Sequence, residues 1–118
     1  MIITGGLRVS ADIAKALALG ADAVAIGTAA LMAIGCQQYK MCNTGKCPMG
    51  IATQDPALRK NMNVEKAARR LENFLNVTTT ELKDFARLTG NSSVHGLSVA
   101  DLCTVNSEIS NYMPVEHV

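Results

Sequence analysis

Three cysteines crowd one stretch of this chain. Cys36, Cys42 and Cys47 are separated by five and by four residues and Pro48 follows the last, while the remaining cysteine, Cys103, lies far away. Thiolates spaced this closely on one loop can converge on a single metal centre. A tetrahedral zinc site asks for a fourth cysteine or histidine. The stretch holds no histidine, and His95 and Cys103 are distant in sequence. Three thiolates without a fourth suit a cubane lacking one iron, a 3Fe-4S cluster, because a full 4Fe-4S cluster normally takes four. A proline after the last cysteine also occurs in ferredoxin-type runs. Zinc with Cys103 as fourth ligand is a second reading, and three reduced structural cysteines are a third. Cys103 itself, between Leu102 and Val105, reads as a small buried hydrophobe.

The other residues able to do chemistry are glycines. Gly5-Gly6 and Gly27 each follow a short apolar run and precede a helix-forming one. Glycine lets the backbone approach a ligand closely and adopt positive φ. The free N–H groups of a helix start then point at an anion. Two such turns on adjacent parallel strands make a shared phosphate cup, of the kind β/α barrels carry after their last strands. Arg8 adds charge, and Thr28 stands beside Gly27. The plain alternative is that these glycines only permit tight turns and that Arg8 is a solvated surface residue.

The elements that must position these residues are legible in outline. Met1 to Thr4 is an apolar run that predicts a strand. Ser10 is placed to cap a helix over Ala11 to Leu19, with Asp12 in its first turn and Gly20 as its stop. Ala23 to Ile26 predicts a second strand. Thr28 caps Ala29 to Ile34, and Gly35 ends that helix. Continuous rather than alternating apolar strands predict a parallel sheet covered on both faces. Cys36 to Gly50 has no periodicity and reads as a loop. Asp55-Pro56 opens a short helix. Asn63 caps a longer one whose apolar face is Val64, Ala68, Leu71, Leu75, Thr78, Leu82 and Phe85, ending at Gly90. Thr78-Thr79-Thr80 is weak for helix and leaves room for a break. Ser98 with Asp101 resembles a capping box, and the polar tail from Asn106 reads as irregular. No solenoid-type repeat is visible.

Composition excludes several classes. With 48% hydrophobic and 18% charged residues the chain is globular rather than disordered. A net charge of +1 with few aromatics leaves no footprint for nucleic acid. The apolar run from Ala21 to Gly35 falls short of the roughly 20 residues that cross a bilayer. The N-terminus lacks the basic and then apolar pattern of an export signal. The expectation is a cytoplasmic protein, where clustered cysteines serve as ligands rather than as disulfides.

One combination is specific. Gly5-Gly6-Leu7-Arg8, then Lys15-Ala16-Leu17-Ala18-Leu19-Gly20-Ala21-Asp22-Ala23-Val24, then Ile26-Gly27, then Cys36, Cys42 and Cys47-Pro48, then Gly50 and Ala52-Thr53-Gln54-Asp55-Pro56, resembles the end of the FMN-binding domain of glutamate synthase. The resemblance is continuous from about residue 3 to residue 60 and less distinct along the helical tail. It implies an α/β fold: the last two βα units of a TIM-type (β/α)8 barrel over 1–35, an iron–sulfur cysteine loop and short helix over 36–63, and a helical tail over 64–118. It implies FMN with its phosphate at Gly5, Gly6 and Gly27, with Arg8 and Thr28 beside it, and a 3Fe-4S cluster on Cys36, Cys42 and Cys47. The implied activity is reductive amination of 2-oxoglutarate to glutamate, with electrons passing between cluster and FMN. In that family the ammonia comes from glutamine, cleaved in a separate amidotransferase domain.

The departures bound the expectation. A β/α barrel takes about 250 residues and eight strands, and two strands are found here. No cysteine stands near the N-terminus as a glutaminase nucleophile. The expected partners are therefore the remainder of the barrel, other glutamate synthase subunits or a second copy of the chain. A reading from another class is a non-catalytic electron-transfer or assembly module, which holds an iron–sulfur group or zinc and docks to another chain through the helical tail.

Overall fold

The two apolar runs pair as strands. In the computed structural model, which describes residues 1–118, β1 (Ile2–Thr4) and β2 (Ala23–Ala25) form a parallel pair, with Ile3 opposite Val24 and Thr4 opposite Ala25. α1 (Ser10–Ala18) makes the crossover between them, as parallel strands require. The expected cover on both faces is corrected. Ile3 and Val24 are half-buried, but Ile2, Thr4, Ala23 and Ala25 on the other face are exposed. The chain is mixed α/β, with five α-helices and four short strands, and it divides into two compact units, 1–26 with 78–118 and 27–77. α4 (Val64–Leu88) is one unbroken helix of 25 residues that belongs in part to each; the three threonines do not interrupt it.

In the first unit, α1 starts at Ser10, one residue earlier than expected, so Val9 and not Ser10 takes the capping position. Ser10 lies inside the helix, and the Asp12 carboxylate reaches back to accept the N–H groups of Arg8 at 3.0 Å and Val9 at 3.3 Å. The Ser10 hydroxyl donates instead to Glu81 Oε2 at 2.5 Å. Gly20, at φ +96°, ends the helix, with its N–H on the Leu17 carbonyl and that of Ala21 on the Ala16 carbonyl, the double bond of a Schellman stop. Leu17, Ala18 and Leu97 form the core, flanked by Ile13, Ala14, Val24, Val94 and Leu102. Ser98 and Asp101 pair as expected, the Asp101 carboxylate accepting the Ser98 N–H at 2.8 Å across a one-turn 3-10 helix. The tail is more ordered than its polarity predicts. β3 (Cys103–Thr104) and β4 (Glu116–His117) pair in parallel around α5 (Ser107–Tyr112), which Asn106 caps through the Glu108 N–H.

In the second unit, α2 (Thr28–Ala33) begins with Gly27 in the capping position and Thr28 as its first helical residue. The expected Thr28 cap is thus corrected. Gly35 closes the helix at φ +108°, and the Cys36 N–H then bonds the Leu31 carbonyl at 2.9 Å. α3 (Pro56–Arg59) and α4 start where expected, Asp55 accepting the Ala57 N–H and Asn63 the Lys66 N–H. Of the expected face of α4, Thr78 is buried and Leu71, Leu82 and Phe85 are half-buried, whereas Val64, Ala68 and Leu75 are exposed; Ala67 and Ala86, outside that row, are buried. No helix of the chain is long and apolar enough to cross a membrane.

Candidate functional site

The cysteine stretch is built by three short devices. Cys36 is fixed by the end of α2, and its sulfur accepts the Gln38 N–H at 3.4 Å. Cys42 opens a one-turn 3-10 helix, Cys42–Thr44, and is exposed; Gly45 then turns at φ +68°. Cys47 is buried and begins a turn closed by the Gly50 N–H on its carbonyl at 3.1 Å. Gly50 takes φ +75°, and a Cβ there would stand 2.7 Å from the Leu58 carbonyl oxygen. Only glycine lets this turn pack onto the end of α3. Asn61 ties the turn down through its side-chain N–H on the Pro48 carbonyl at 2.9 Å.

The turn gives Cys47 an unusual electrostatic setting. The N–H groups of Ala52 and Ile51, with smaller contributions from Met49 and Gly50, hold its thiol below the ordinary cysteine range, against the opposing effect of burial. This arrangement favours a thiolate. The three sulfurs are not brought together, however: no three His, Cys, Asp or Glu side chains of the chain stand close enough to hold a metal ion. Cys103 is exposed rather than buried as expected, a consequence of its place on the short β3.

The glycine turns leave the same end of the strand pair, since Thr4 and Ala25 are opposite one another and Gly5 and Ile26 follow them. Gly5 and Gly6 both take positive φ, +108° and +72°, whereas Gly27 does not. At all three a Cβ would meet nothing within 4 Å. Arg8, Gly27 and Thr28 are exposed.

Residues 1–92 match the family model described as a conserved region in glutamate synthase. The chain belongs to the glutamate synthase family. A glutamate synthase large subunit-like protein of Rhizobium meliloti is 46% identical over 124 residues, covering 92% of this chain and 28% of that protein. The archaeal-type glutamate synthase (NADPH) of Thermotoga neapolitana is 50% identical over 97 residues, and the archaeal glutamate synthase (NADPH) of Methanocaldococcus jannaschii 48% over the same length. Each of these two alignments covers 82% of this chain and 19% of the relative. The chain thus corresponds to a fifth to just over a quarter of the curated relatives it matches. No solved structure matches.

The cofactors that the glutamate synthase resemblance implies can be tested against these residues. A phosphate fits the glycine turns, which are open and unobstructed at each Cα. An iron–sulfur group fits the donor types, three thiols with N–H groups around one of them, but not their present separation. The residue that sequence reasoning missed is Asn61, which braces the Cys47 turn from 13 positions along the chain.

Proposed function

We propose that this chain is the FMN-phosphate and iron–sulfur portion of a glutamate-synthase-type flavoenzyme that reductively aminates 2-oxoglutarate to glutamate. The observation that carries the reading is the order of its parts: two open glycine turns leaving one end of a parallel strand pair, followed directly by three cysteines, all inside the stretch matched to the family. On this reading residues 1–35 are the last two βα units of a TIM-type barrel. Gly5, Gly6 and Gly27 bind the flavin phosphate through backbone N–H groups, with Arg8 and Thr28 beside it. Gly27 lends support because space is open at its Cα, which leaves room for a ligand to approach its backbone.

Cys36, Cys42 and Cys47 are the ligands of a 3Fe-4S cluster. When bound, cluster and flavin supply electron transfer and hydride chemistry; the chain's own part is to position them and to set their electrostatics. Cys47 is the preformed ligand, and segment 37–46 must reorganise for the three sulfurs to converge, so binding is coupled to ordering of the loop. The exposed face of Ile2, Ala23 and Ala25 suits cover by further barrel strands or other subunits. The NADPH in the names of two relatives makes a nicotinamide the electron source to test first.

The test is iron and acid-labile sulfide analysis of anaerobically purified chain, with native mass spectrometry. Three irons with matching sulfide per chain support the reading. Stoichiometric zinc, or no metal after anaerobic reconstitution with iron and sulfide, would overturn the cluster assignment.

A further inference from the structure

Charge is unevenly divided along this chain. Segment 27–77 carries seven lysines and arginines against three acidic residues, whereas 1–26 with 78–118 carries four against seven. The ion pairs, Met1 with Asp22 and Arg87 with Asp84, both belong to the acidic unit. None of the seven cations of 27–77 takes part in either.

Two of those cations face one space. Lys66 and Arg70 stand a turn apart on α4 and line a cavity of about 290 Å³, bounded by Ile34 and Gly35 from the end of α2 and by Met49 and Ile51 from the Cys47 turn. No acidic residue lines it. Like charges at this helical spacing repel each other, and here no carboxylate of the cavity offsets them. Arg70 Nη1 lies 3.3 Å from where a Cβ on Gly35 would be, so the glycine allows the guanidinium to come down onto this wall. The remaining lining combines the polar side chains of Asn61 and Asn63 with the apolar ones of Met62 and Ala67. None of the residues assigned to the FMN phosphate or the cluster lines the cavity.

We propose that this cavity is a binding site for a small oxyanion, a carboxylate or phosphate compound. The Arg70 guanidinium forks onto the anion and the Lys66 ammonium serves as a second point charge. Any carbon skeleton lies against Ile34, Met49 and Ile51. The site requires neither iron nor flavin, so its test is independent of the function proposed above.

The test uses the full chain and backbone-amide NMR, with inorganic phosphate and succinate titrated separately against sodium chloride of equal ionic strength. Saturable shifts are expected at 34–35, 49–51 and 61–70 with at least one probe, and the tighter probe identifies phosphate or carboxylate as the anion. Arg70→Gln should weaken binding about tenfold or more, the effect of losing a charged hydrogen bond. Arg69→Gln, which removes the same charge from a neighbouring residue outside the cavity lining, should change it less than about twofold. If Arg70→Gln disturbs the fold, Lys66→Gln carries the same expectation. Shifts that chloride reproduces, a lack of saturation with both probes, or equal weakening by Arg70→Gln and Arg69→Gln would each overturn the proposal.

Discussion

Ser10 Oγ donates to Glu81 Oε2 at 2.5 Å, joining residues 71 positions apart in sequence. The contact links the start of α1 to the later turns of α4, in a unit whose core consists of Leu17, Ala18 and Leu97 with half-buried neighbours. Ser10 is itself buried, so its hydroxyl needs a partner. Ser10→Ala should cost about 1 kcal/mol, the usual net value of such a bond. Glu81→Gln should cost less, because an amide oxygen still accepts the proton. Urea midpoints of the two variants check the order.

Gly50 offers a sharper test of packing. A Cβ there would meet the Leu58 carbonyl oxygen at 2.7 Å, the Met62 nitrogen at 3.0 Å and the Arg59 carbonyl oxygen at 3.1 Å, all of them backbone atoms that cannot swing aside. Gly45 has a similar φ, +68°, but open space. Gly45→Ala should cost about 1 kcal/mol for the left-handed backbone alone, and Gly50→Ala at least about 2 kcal/mol. Equal losses in denaturant unfolding would show that the Cys47 turn does not rest on α3.

What was legible in the sequence was local chemistry. Gly20, Gly35 and Gly90 each end a helix at positive φ, and Asp55, Asn63 and the Ser98–Asp101 pair cap where their types predict. Each of these signals acts over five residues or fewer. The errors lie where distance in sequence matters. Ser10 looked like a cap because serines cap, but a distant carboxylate holds it. The expected face of α4 holds at Leu71, Thr78, Leu82 and Phe85 but not at Val64, Ala68 and Leu75, while the small Ala67 and Ala86 beside it are buried. The tail helix is hidden in the sequence because Asn106 and Glu108, a cap and an acidic first turn, sit in a stretch whose general polarity masks them. For the cysteines, spacing states that convergence is feasible and says nothing of whether it occurs without a ligand.

Asp12 should govern part of the acid sensitivity of α1. Its carboxyl is held below the ordinary carboxylate range, first by the Arg8 N–H and then by the Val9 N–H. A depressed acid stabilises the fold fully above the unfolded value of about 3.9 and loses that contribution as pH falls through the lower folded value. Asp12→Asn should therefore flatten the stability curve below pH 4, with little change in its shape near neutrality. Carboxyl-carbon NMR titration of Asp12 should give a midpoint below the random-coil value; a midpoint at or above it would remove the helix-start role.

Cys47 predicts a second pH dependence, at the alkaline end. Its thiol is lowered chiefly by the N–H groups of Ala52 and Ile51. In metal-free chain the resulting stability is complete above the unfolded thiol value of about 8.5 and disappears as pH falls through the folded value. With Cys36, Cys42 and Cys103 replaced by serine, thiolate absorbance at about 240 nm should rise at lower pH than for a free thiol. Stability should increase across the same interval, and a further Cys47→Ser change should abolish that slope.

The cluster assignment makes its own prediction because the ligands differ in how they are held. Cys47 is fixed in a braced turn and Cys36 by the end of α2, while Cys42 is exposed on a single 3-10 turn. Bringing Cys42 to the other two requires segment 37–46 to reorganise, so iron loading should protect that segment from proteolysis and from alkylation. Cys42→Ser should lose the iron and sulfide while α4 keeps its far-UV circular dichroism, since that helix is capped by Asn63 independently of the loop. Cys103→Ser, on exposed β3, should retain both. Iron lost from Cys103→Ser but kept in Cys42→Ser would reassign the ligand set, and unchanged protection of segment 37–46 on loading would mean that the metal binds without the three cysteines closing around it.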